Sequence, residues 1–194
     1  MKKVFFVLLI LLSSNVFSQN IDINLLKEIN VNRNKNLDGT FSLFTHSVVP
    51  VSFGTPVIIT GIGLLKKDSL LTRKGLYLGA TVVVATGVAT VLKYSINRDR
   101  PFVTYPYIEK MADAGSPSFP SGHTTDAFAT ATSLSLAFPK WYVIAPSFLW
   151  ASAVGYSRMH LGVHYPSDVL AGAIIGAGSA YLTHRLNLWL IKRK

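Results

Sequence analysis

The chain has no cysteine and few charged side chains. The absence of cysteine excludes disulfide bonds and thiolate chemistry from all 194 residues. Charged residues make up only 14% of the sequence, against about a quarter in a typical soluble domain, while apolar residues make up 49%. This balance favours a protein embedded in lipid.

Acidic side chains are scarcer than basic ones. Nine Asp and Glu residues stand against 19 Lys and Arg residues, which gives a formal net charge of +10. Such a charge suits nucleic acid or an anionic membrane surface. The cations are scattered rather than arranged in a stripe, and no nucleic-acid-binding motif accompanies them, so we predict no nucleic-acid partner.

The first residues have the pattern of a secretory signal. Lys2 and Lys3 precede an apolar run from Val4 to Leu12, and short polar residues follow. The run is too short to cross a bilayer, which takes about 20 residues. We predict a signal peptide over residues 1–18, with an uncleaved anchor as the alternative. In either case the chain that follows is exported from the cytoplasm.

Residues 19–40 are predicted to form a lead segment at the membrane surface. They are polar, with a short amphipathic pattern of Ile and Leu, and the Asn-rich stretch 30–39 is typical of a loop. We expect no functional role for this segment.

Five apolar stretches follow within residues 41–191, which we interpret as one domain. They cover residues 41–65, 75–95, 124–138, 141–156 and 169–191. The third is rich in Ala, Thr and Ser, so we expect it to be a central, protected helix. Gly172 and Gly176 offer a face for close helix packing. The predicted fold is an all-α helical membrane bundle with about five transmembrane helices.

Two alternate connections and the C-terminal tail carry a set of basic residues. They are Lys66, Lys67, Arg73, Lys74, Lys140 and the tail 192–194. With an exported N-terminus, five crossings place all of them on the cytoplasmic side, as the positive-inside rule requires. The other connections then lie together on the periplasmic side.

One of those periplasmic connections contains the sequence SFPSGHTTDAF, residues 118–128, which joins a tight turn to a helix. A helix N-terminus presents unpaired N–H groups and a positive dipole end, which bind anions. Gly122 allows close approach of the backbone, and Ser121 either caps the helix or donates to the anion. His123 supplies a group that transfers protons near neutral pH. Alone, the four residues PSGH are as compatible with an ordinary capped helix that carries a surface histidine as with an anion site.

Two further motifs flank this stretch. Upstream, Lys93 and Arg100 form a K-x6-R-P pattern; downstream, Arg158, His164 and Asp168 form an S-R-x5-H-x3-D pattern. The guanidinium fork suits phosphate oxygens, although each cation taken singly is also compatible with an interfacial, snorkelling side chain.

The spacing of His164 and Asp168 indicates that the downstream motif also contains a histidine–carboxylate pair. Four residues apart, they share a face if the segment is helical, and the carboxylate then orients the imidazole. Pro166 between them leaves that helical geometry open. A helix-start Asp beside an interfacial His is the alternative.

The three blocks, in this order, resemble the signature of the type 2 phosphatidic acid phosphatase (PAP2) superfamily, which includes bacterial class A acid phosphatases and vanadium haloperoxidases. The resemblance covers about residues 90–170, with every signature position present. It implies that His164 is the nucleophile of a phosphohistidine intermediate, with Asp168 as its orienting partner. His123 would be the general acid, and water would hydrolyse the intermediate. The implied phosphoryl-binding groups are Lys93, Arg100, Ser121, the Gly122 N–H and Arg158.

No metal or other cofactor is predicted. The clustered cations would repel a metal ion, and the H-E-x-x-H pattern is absent from the sequence. We interpret His46, His160 and His184 as structural or interfacial. For Asp126 we expect a helix-dipole role, with contact to a substrate head group as the alternative.

Resemblance and composition together predict a metal-independent membrane phosphatase acting on a lipid phosphate or diphosphate. The resemblance implies substrates such as undecaprenyl diphosphate, phosphatidic acid, phosphatidylglycerol phosphate and lipid A phosphates. We expect a multi-pass protein of the bacterial inner membrane with a periplasmic active site. Residues 105–114 and the helix walls would select the lipid.

Three alternatives differ in what they require. A soluble periplasmic class A-type acid phosphatase would share the motif blocks but have amphipathic helices and more charge. A haloperoxidase would need bound vanadate and a longer chain. A non-catalytic lipid-binding or assembly protein would be expected to have lost signature residues, which this chain retains.

Overall fold

Helices form almost all of the regular structure in the computed structural model, which describes residues 21–192. The predicted signal peptide, residues 1–18, and the last two residues of the basic tail lie outside the described residues. No β-strand occurs between residues 21 and 192. The predicted all-α class is therefore confirmed.

The helices follow one another with short connections, except for the long segment before α6. They are α1 (21–30), a 3-10 turn (Lys35–Leu37), α2 (Asp38–His46), α3 (Val48–Leu65), α4 (Ser69–Ile96), the one-turn α5 (Pro101–Thr104), α6 (Gly122–Ala137), α7 (Trp141–His160) and α8 (Pro166–Lys192). Part of the Asn-rich stretch predicted as a loop is thus helical. The first predicted apolar stretch, residues 41–65, covers most of α2 and all of α3, and the other four correspond to α4, α6, α7 and α8.

Specific end signals set the length of α4. At its start, the Asp68 side chain accepts a hydrogen bond from the Leu71 backbone N–H at 2.9 Å. At its end, Asn97 adopts the left-handed conformation, with φ of 50°, which Asn tolerates better than most residues. The resulting helix of 28 residues carries Lys93 in its last turn.

Two helical stretches of the described chain, residues 35–65 and 69–104, are long and apolar enough to cross a membrane. By contrast, α6 has only 16 residues, which is about 24 Å of helix and less than the hydrocarbon core of about 30 Å. It contacts α3, α4, α7 and α8, and most of its small side chains are buried. The central position predicted for this helix is confirmed.

Two glycines allow α8 to lie directly against α6. A Cβ atom on Gly176 would come within 2.3 Å of the Thr125 carbonyl oxygen, and one on Gly172 within 2.7 Å of the Ser121 carbonyl oxygen. Any side chain at either position would push the helices apart. The predicted packing face is therefore confirmed, and it brings the first turn of α8 to the start of α6.

The two ends of the bundle differ in what they contain. The start of α4 lies beside the end of α6, since the Lys74 ammonium sits 4.4 Å from the centre of the Phe138 ring. At the other end, the last turn of α4, the start of α6 and the connection between α7 and α8 come together. The three sequence motifs occupy that second end.

The lead segment packs onto the motif end. Ile23 and Leu26 of α1 are buried with Ile108 and Tyr165, while Ile21 and Leu25 remain exposed. The amphipathic pattern therefore has one face against the protein's own connections, and the other face is exposed.

Candidate active site

All eight sequence-predicted site residues lie at one end of the bundle. Of these, six are buried: Lys93, Arg100, Ser121, Arg158, His164 and Asp168. The other two, Gly122 and His123, are partly buried in the first turn of α6. Residues from four separate stretches of chain thus converge because α4, α6, α7 and α8 all reach this end.

His164 and Asp168 contact each other, but not along a helix. His164 lies in the connection before α8, which begins at Pro166, and its Nδ1 is 3.4 Å from Asp168 Oδ2. The same carboxylate oxygen accepts hydrogen bonds from Ser118 Oγ at 2.5 Å and from the Tyr165 backbone N–H at 3.0 Å. The carboxylate is therefore held on the His164 ring by a tight turn.

The two ring nitrogens of His164 face different surroundings. Nδ1 faces Asp168, whereas Nε2 lies 3.3 Å from Arg100 Nη1. An N–H on Nδ1 donates to the carboxylate, and Nε2 is then left with its lone pair toward the cations. This tautomer points a nucleophilic nitrogen into the centre of the site.

The environment keeps the His164 ring neutral. Burial lowers the pKa of His164 to about 3. The contact with Asp168 opposes this lowering, and the guanidinium groups of Arg100 and Arg158 add to it. Near neutral pH the imidazole therefore retains the lone pair that a nucleophile needs.

Three cations of the site have no carboxylate partner among residues 21–192. Lys93 donates to the Pro117 carbonyl oxygen at 2.7 Å, and Arg100 donates to the carbonyl oxygens of Ser116 and Val163, both at 2.8 Å. Hydrogen bonds to neutral carbonyl groups orient these side chains and leave their charge uncompensated.

Arg158 is the most deeply buried of the three. Its Nη1 donates to Thr45 Oγ1 at 2.6 Å, but its buried Nε has no hydrogen-bond partner within the described chain. A buried guanidinium costs several kcal/mol in desolvation unless it is paired. The site is therefore built to receive an anion.

The start of α6 supplies further donors. Ser121 occupies the N-cap position but makes no capping hydrogen bond; its Oγ instead accepts from Thr124 Oγ1 at 2.9 Å. Of the two predicted roles, capping is thus excluded, and the first N–H groups of α6 have no capping side chain. A Cβ atom on Gly122 would lie 3.7 Å from Lys93 Cε, so this helix end adjoins the cations.

Burial lowers the pKa of His123 to about 3, and the nearby charges of Arg158, Arg100 and Lys93 add to this lowering. The His123 side chain makes no hydrogen bond to any residue in the described range 21–192. A ligand held by the cations would therefore find this imidazole without a competing partner.

Asp126 does not act at the helix terminus. It is the fifth residue of α6, and its Oδ1 accepts a hydrogen bond from Thr86 Oγ1 of α4 at 2.7 Å. The expected helix-dipole role was wrong, because α6 begins two residues earlier than the predicted Thr124. His160, interpreted as structural, contacts Asp38 Oδ1 at 2.8 Å through Nε2.

Sequence reasoning missed three residues that support the site. Ser118 and Arg98 both donate to Asp168, and Thr45 holds Arg158. Ser118 and Arg98 lie inside or beside the motif stretches, so a search for polar side chains near the motifs would have found them. Thr45 lies in α2, where nothing in the sequence marks it.

Comparisons with known proteins identify the family of this chain. The family model of the PAP2 superfamily matches residues 74–192. An undecaprenyl-diphosphatase from Sulfolobus acidocaldarius is 33% identical over 172 residues, which is 85% of this chain and 79% of that protein. A lipid A 1-phosphatase from Rhizobium etli is 36% identical over 115 residues, which is 56% of this chain and only 48% of that protein.

A solved structure is similar over nearly the whole chain. It is the transmembrane PAP2-type phosphatidylglycerolphosphate phosphatase from Bacillus subtilis, which is 26% identical and has a TM-score of 0.75. The two structures align over 95% of this chain and 92% of the Bacillus subtilis chain. The family match includes every predicted site residue. The chain therefore belongs to the PAP2 superfamily, in its membrane lipid phosphatase branch.

Proposed function

We propose that this protein hydrolyses a lipid phosphate or diphosphate through a phosphohistidine intermediate on His164. The observation that carries the proposal is the set of buried cations without carboxylate partners, gathered around one unprotonated imidazole nitrogen. Such a set binds a phosphoryl group and places a nucleophile beside it.

Substrate binding uses the cations and the start of α6. Arg100 and Arg158 present planar donors that match the geometry of phosphate oxygens, and Lys93 adds a third charge. The free N–H groups beside Gly122 and the Ser121 hydroxyl complete the contacts. Together they offset the charge that develops on the phosphoryl oxygens in the transition state.

The first chemical step transfers the phosphoryl group to the protein. The Nε2 lone pair of His164 attacks phosphorus, and the bond between phosphorus and the lipid oxygen breaks. In the free protein the pKa of His123 is lowered to about 3; the negative charge of the bound phosphoryl group opposes this lowering, so His123 takes up a proton with the substrate and donates it to that leaving oxygen. The Nδ1–H remains hydrogen-bonded to Asp168, whose negative charge stabilises the positive ring of the phosphohistidine.

The second step regenerates the free protein. Water attacks phosphorus of the phosphohistidine, and His123, now neutral, accepts a proton from that water. The P–N bond breaks, its electron pair returns to Nε2, and inorganic phosphate leaves. No metal ion takes part in either step.

Exposed apolar side chains favour a lipid-embedded protein over the soluble acid phosphatase. Large apolar residues on α3, α4, α7 and α8 are more than half exposed, among them Val57, Val83, Leu149 and Leu182. A soluble monomer rarely exposes so much apolar surface. With the basic turns on the cytoplasmic side, the active site faces the periplasm of the inner membrane.

The relatives narrow the substrate only to its class. They are named for undecaprenyl diphosphate, lipid A and phosphatidylglycerol phosphate, which share a phosphate group on a lipid. We infer the same class for this protein.

The test is phosphate release by the purified protein in detergent. The substrates are undecaprenyl diphosphate, phosphatidic acid, phosphatidylglycerol phosphate and lipid A, each with EDTA. We expect release from at least one lipid and its loss in His164→Ala, while His184→Gln, far from the site, keeps the rate. Phosphate release that survives in His164→Ala, or that EDTA abolishes, would contradict the mechanism. Retention in membranes after a carbonate wash checks the embedding separately.

A further inference from the structure

An acidic residue of α1, outside the family match, contacts residues that adjoin the catalytic pair. Asp22 is buried, and its Oδ2 accepts hydrogen bonds from Arg98 Nη2 at 2.8 Å and from Ser167 Oγ at 2.5 Å. Its Oδ1 accepts from the Ser167 backbone N–H at 2.8 Å. One carboxylate thus ties α1 to the segment after α4 and to the first turn of α8.

Arg98 continues the connection to the catalytic pair. Its Nη1 donates to Asp168 Oδ1 at 2.7 Å and to Ser167 Oγ at 2.7 Å. Its guanidinium carbon lies 3.8 Å from the centre of the Tyr165 ring, so the planar group is stacked as well as hydrogen-bonded. The guanidinium is therefore fixed on three sides.

An unbroken sequence of contacts then joins Asp22 to the reacting nitrogen. Asp22 binds one end of the Arg98 fork, the other end binds Asp168 Oδ1, and Asp168 Oδ2 faces His164. Because Asp168 is fully buried, the direction of its carboxylate depends on these donors rather than on water. A tilt of the carboxylate would turn the imidazole and move Nε2 away from the phosphoryl group.

We propose that Asp22 is a positioning residue of the phosphatase reaction, which acts through Arg98 to set the orientation of Asp168 and His164. The α1 helix is then a part of the active site, although it lies outside residues 74–192. This inference rests on the proposed role of His164 as nucleophile.

Asp22 affects kcat rather than substrate binding. It contacts none of the three unpaired cations, so its loss leaves the groups that hold the phosphoryl oxygens in place. Asp22→Asn keeps an oxygen to accept from the Ser167 N–H but removes the negative charge facing Arg98. We expect kcat to fall about tenfold, with KM for the lipid within about twofold of the original.

A double-mutant cycle separates positioning from general damage. In an Arg98→Gln background the path to Asp168 is already broken, so adding Asp22→Asn changes kcat by less than about twofold. Asp22→Glu, which keeps the charge, restores part of the rate. Glu28→Gln is the matched control, because it makes the same carboxylate-to-amide change on α1. Among residues 21–192 the Glu28 carboxylate accepts a hydrogen bond only from Asn32, so we expect this variant to keep full activity.

The outcomes decide between the two proposals. The positioning role is overturned if kcat is unchanged in Asp22→Asn, or if Asp22→Asn lowers kcat equally with and without Arg98. In either case, phosphate release by the original protein still upholds the proposed function. If Asp22→Asn does not fold, Arg98→Lys replaces it: a single ammonium cannot span both carboxylates, so kcat falls if the inference holds and stays constant if it does not.

Binding of orthovanadate, an analogue of phosphate in the transition state, gives a readout that needs no turnover. We expect Asp22→Asn and Arg98→Gln to weaken this binding to the same extent, and Glu28→Gln to leave it unchanged. If the original protein releases no phosphate, the proposed function fails; vanadate binding that is identical in all four proteins overturns the positioning role.

Discussion

Two histidine–aspartate pairs lie close together in this protein, and only one has the surroundings of a catalytic group. His160 and His164 are equally buried, and His160 is the closer to its carboxylate, at 2.8 Å from Asp38 against 3.4 Å for His164 and Asp168. Their other ring nitrogens differ. His160 Nδ1 has no partner in the described chain and its ring packs on Phe41, whereas His164 Nε2 faces Arg100.

The comparison shows that a histidine–carboxylate pair does not by itself make an active site. What distinguishes His164 is the group of unpaired cations that its free nitrogen faces. His160 instead joins α7 to the start of α2, and its carbonyl oxygen accepts a hydrogen bond from Asn30 at 2.9 Å. We therefore interpret the His164 pair as a catalytic pair and the His160 pair as a packing contact.

The largest expected effect separates the two pairs directly. His164→Gln removes the nucleophile, and we expect kcat to fall by about 10⁴-fold or more with little change in thermal unfolding midpoint. His160→Gln should lower the midpoint by several degrees while retaining most of the activity of the protein that remains folded. The measurements are phosphate release and thermal unfolding in detergent. Equal losses of kcat in both variants would show that the distinction is wrong.

A smaller effect is expected for His123, which has no counterpart beside His160. His123→Ala removes the general acid, a loss of about 100-fold or more in rate. A lipid monophosphate, whose leaving group is an alkoxide, should lose more rate than a lipid diphosphate, whose leaving group is a stable phosphate. Comparing kcat on two such lipids checks this. The same loss on both substrates would exclude His123 as the acid.

The smallest effect is a pH dependence of stability. Folding moves the pKa of His164 from its ordinary value near 6.5 to about 3, so between these values the unfolded chain binds more protons. The contribution of this residue to the free energy of unfolding is fully present above pH 6.5. It decreases as the pH drops, by about 2 kcal/mol at pH 5.

His164→Gln removes that contribution. When the pH is lowered from 7.5 to 5, the thermal unfolding midpoint of the original protein should therefore fall by more than that of His164→Gln. An identical decrease in both proteins would mean that the buried ring is not held neutral.

Much of the fold and most of the site followed from sequence, for a physical reason. Apolar stretches and motif residues report local requirements: a lipid-facing helix must be apolar, and a phosphate site must have cations and a helix start. Helix ends were less well predicted, because α4 starts earlier than expected at the Asp68 cap and α7 runs four residues further, to His160.

The lead segment was the part that sequence could not interpret. Its amphipathic pattern indicates a buried face but not the surface that covers it. Asp22 meets Arg98 and Ser167 only because the folded chain brings α1 over the connection before α8. Partners so distant in sequence leave no local signal, so nothing in the sequence of this segment indicated a role.

The most direct test of the account is oxygen exchange between inorganic phosphate and water. If the proposed phosphohistidine on His164 forms, it also forms reversibly from phosphate with release of water, so phosphate labelled with oxygen-18 then loses its label in ordinary water without any lipid present. Mass spectrometry should detect this loss with the original protein and with His160→Gln, and none with His164→Ala. An original protein that hydrolyses lipid but does not exchange phosphate oxygen would contradict the phosphohistidine intermediate.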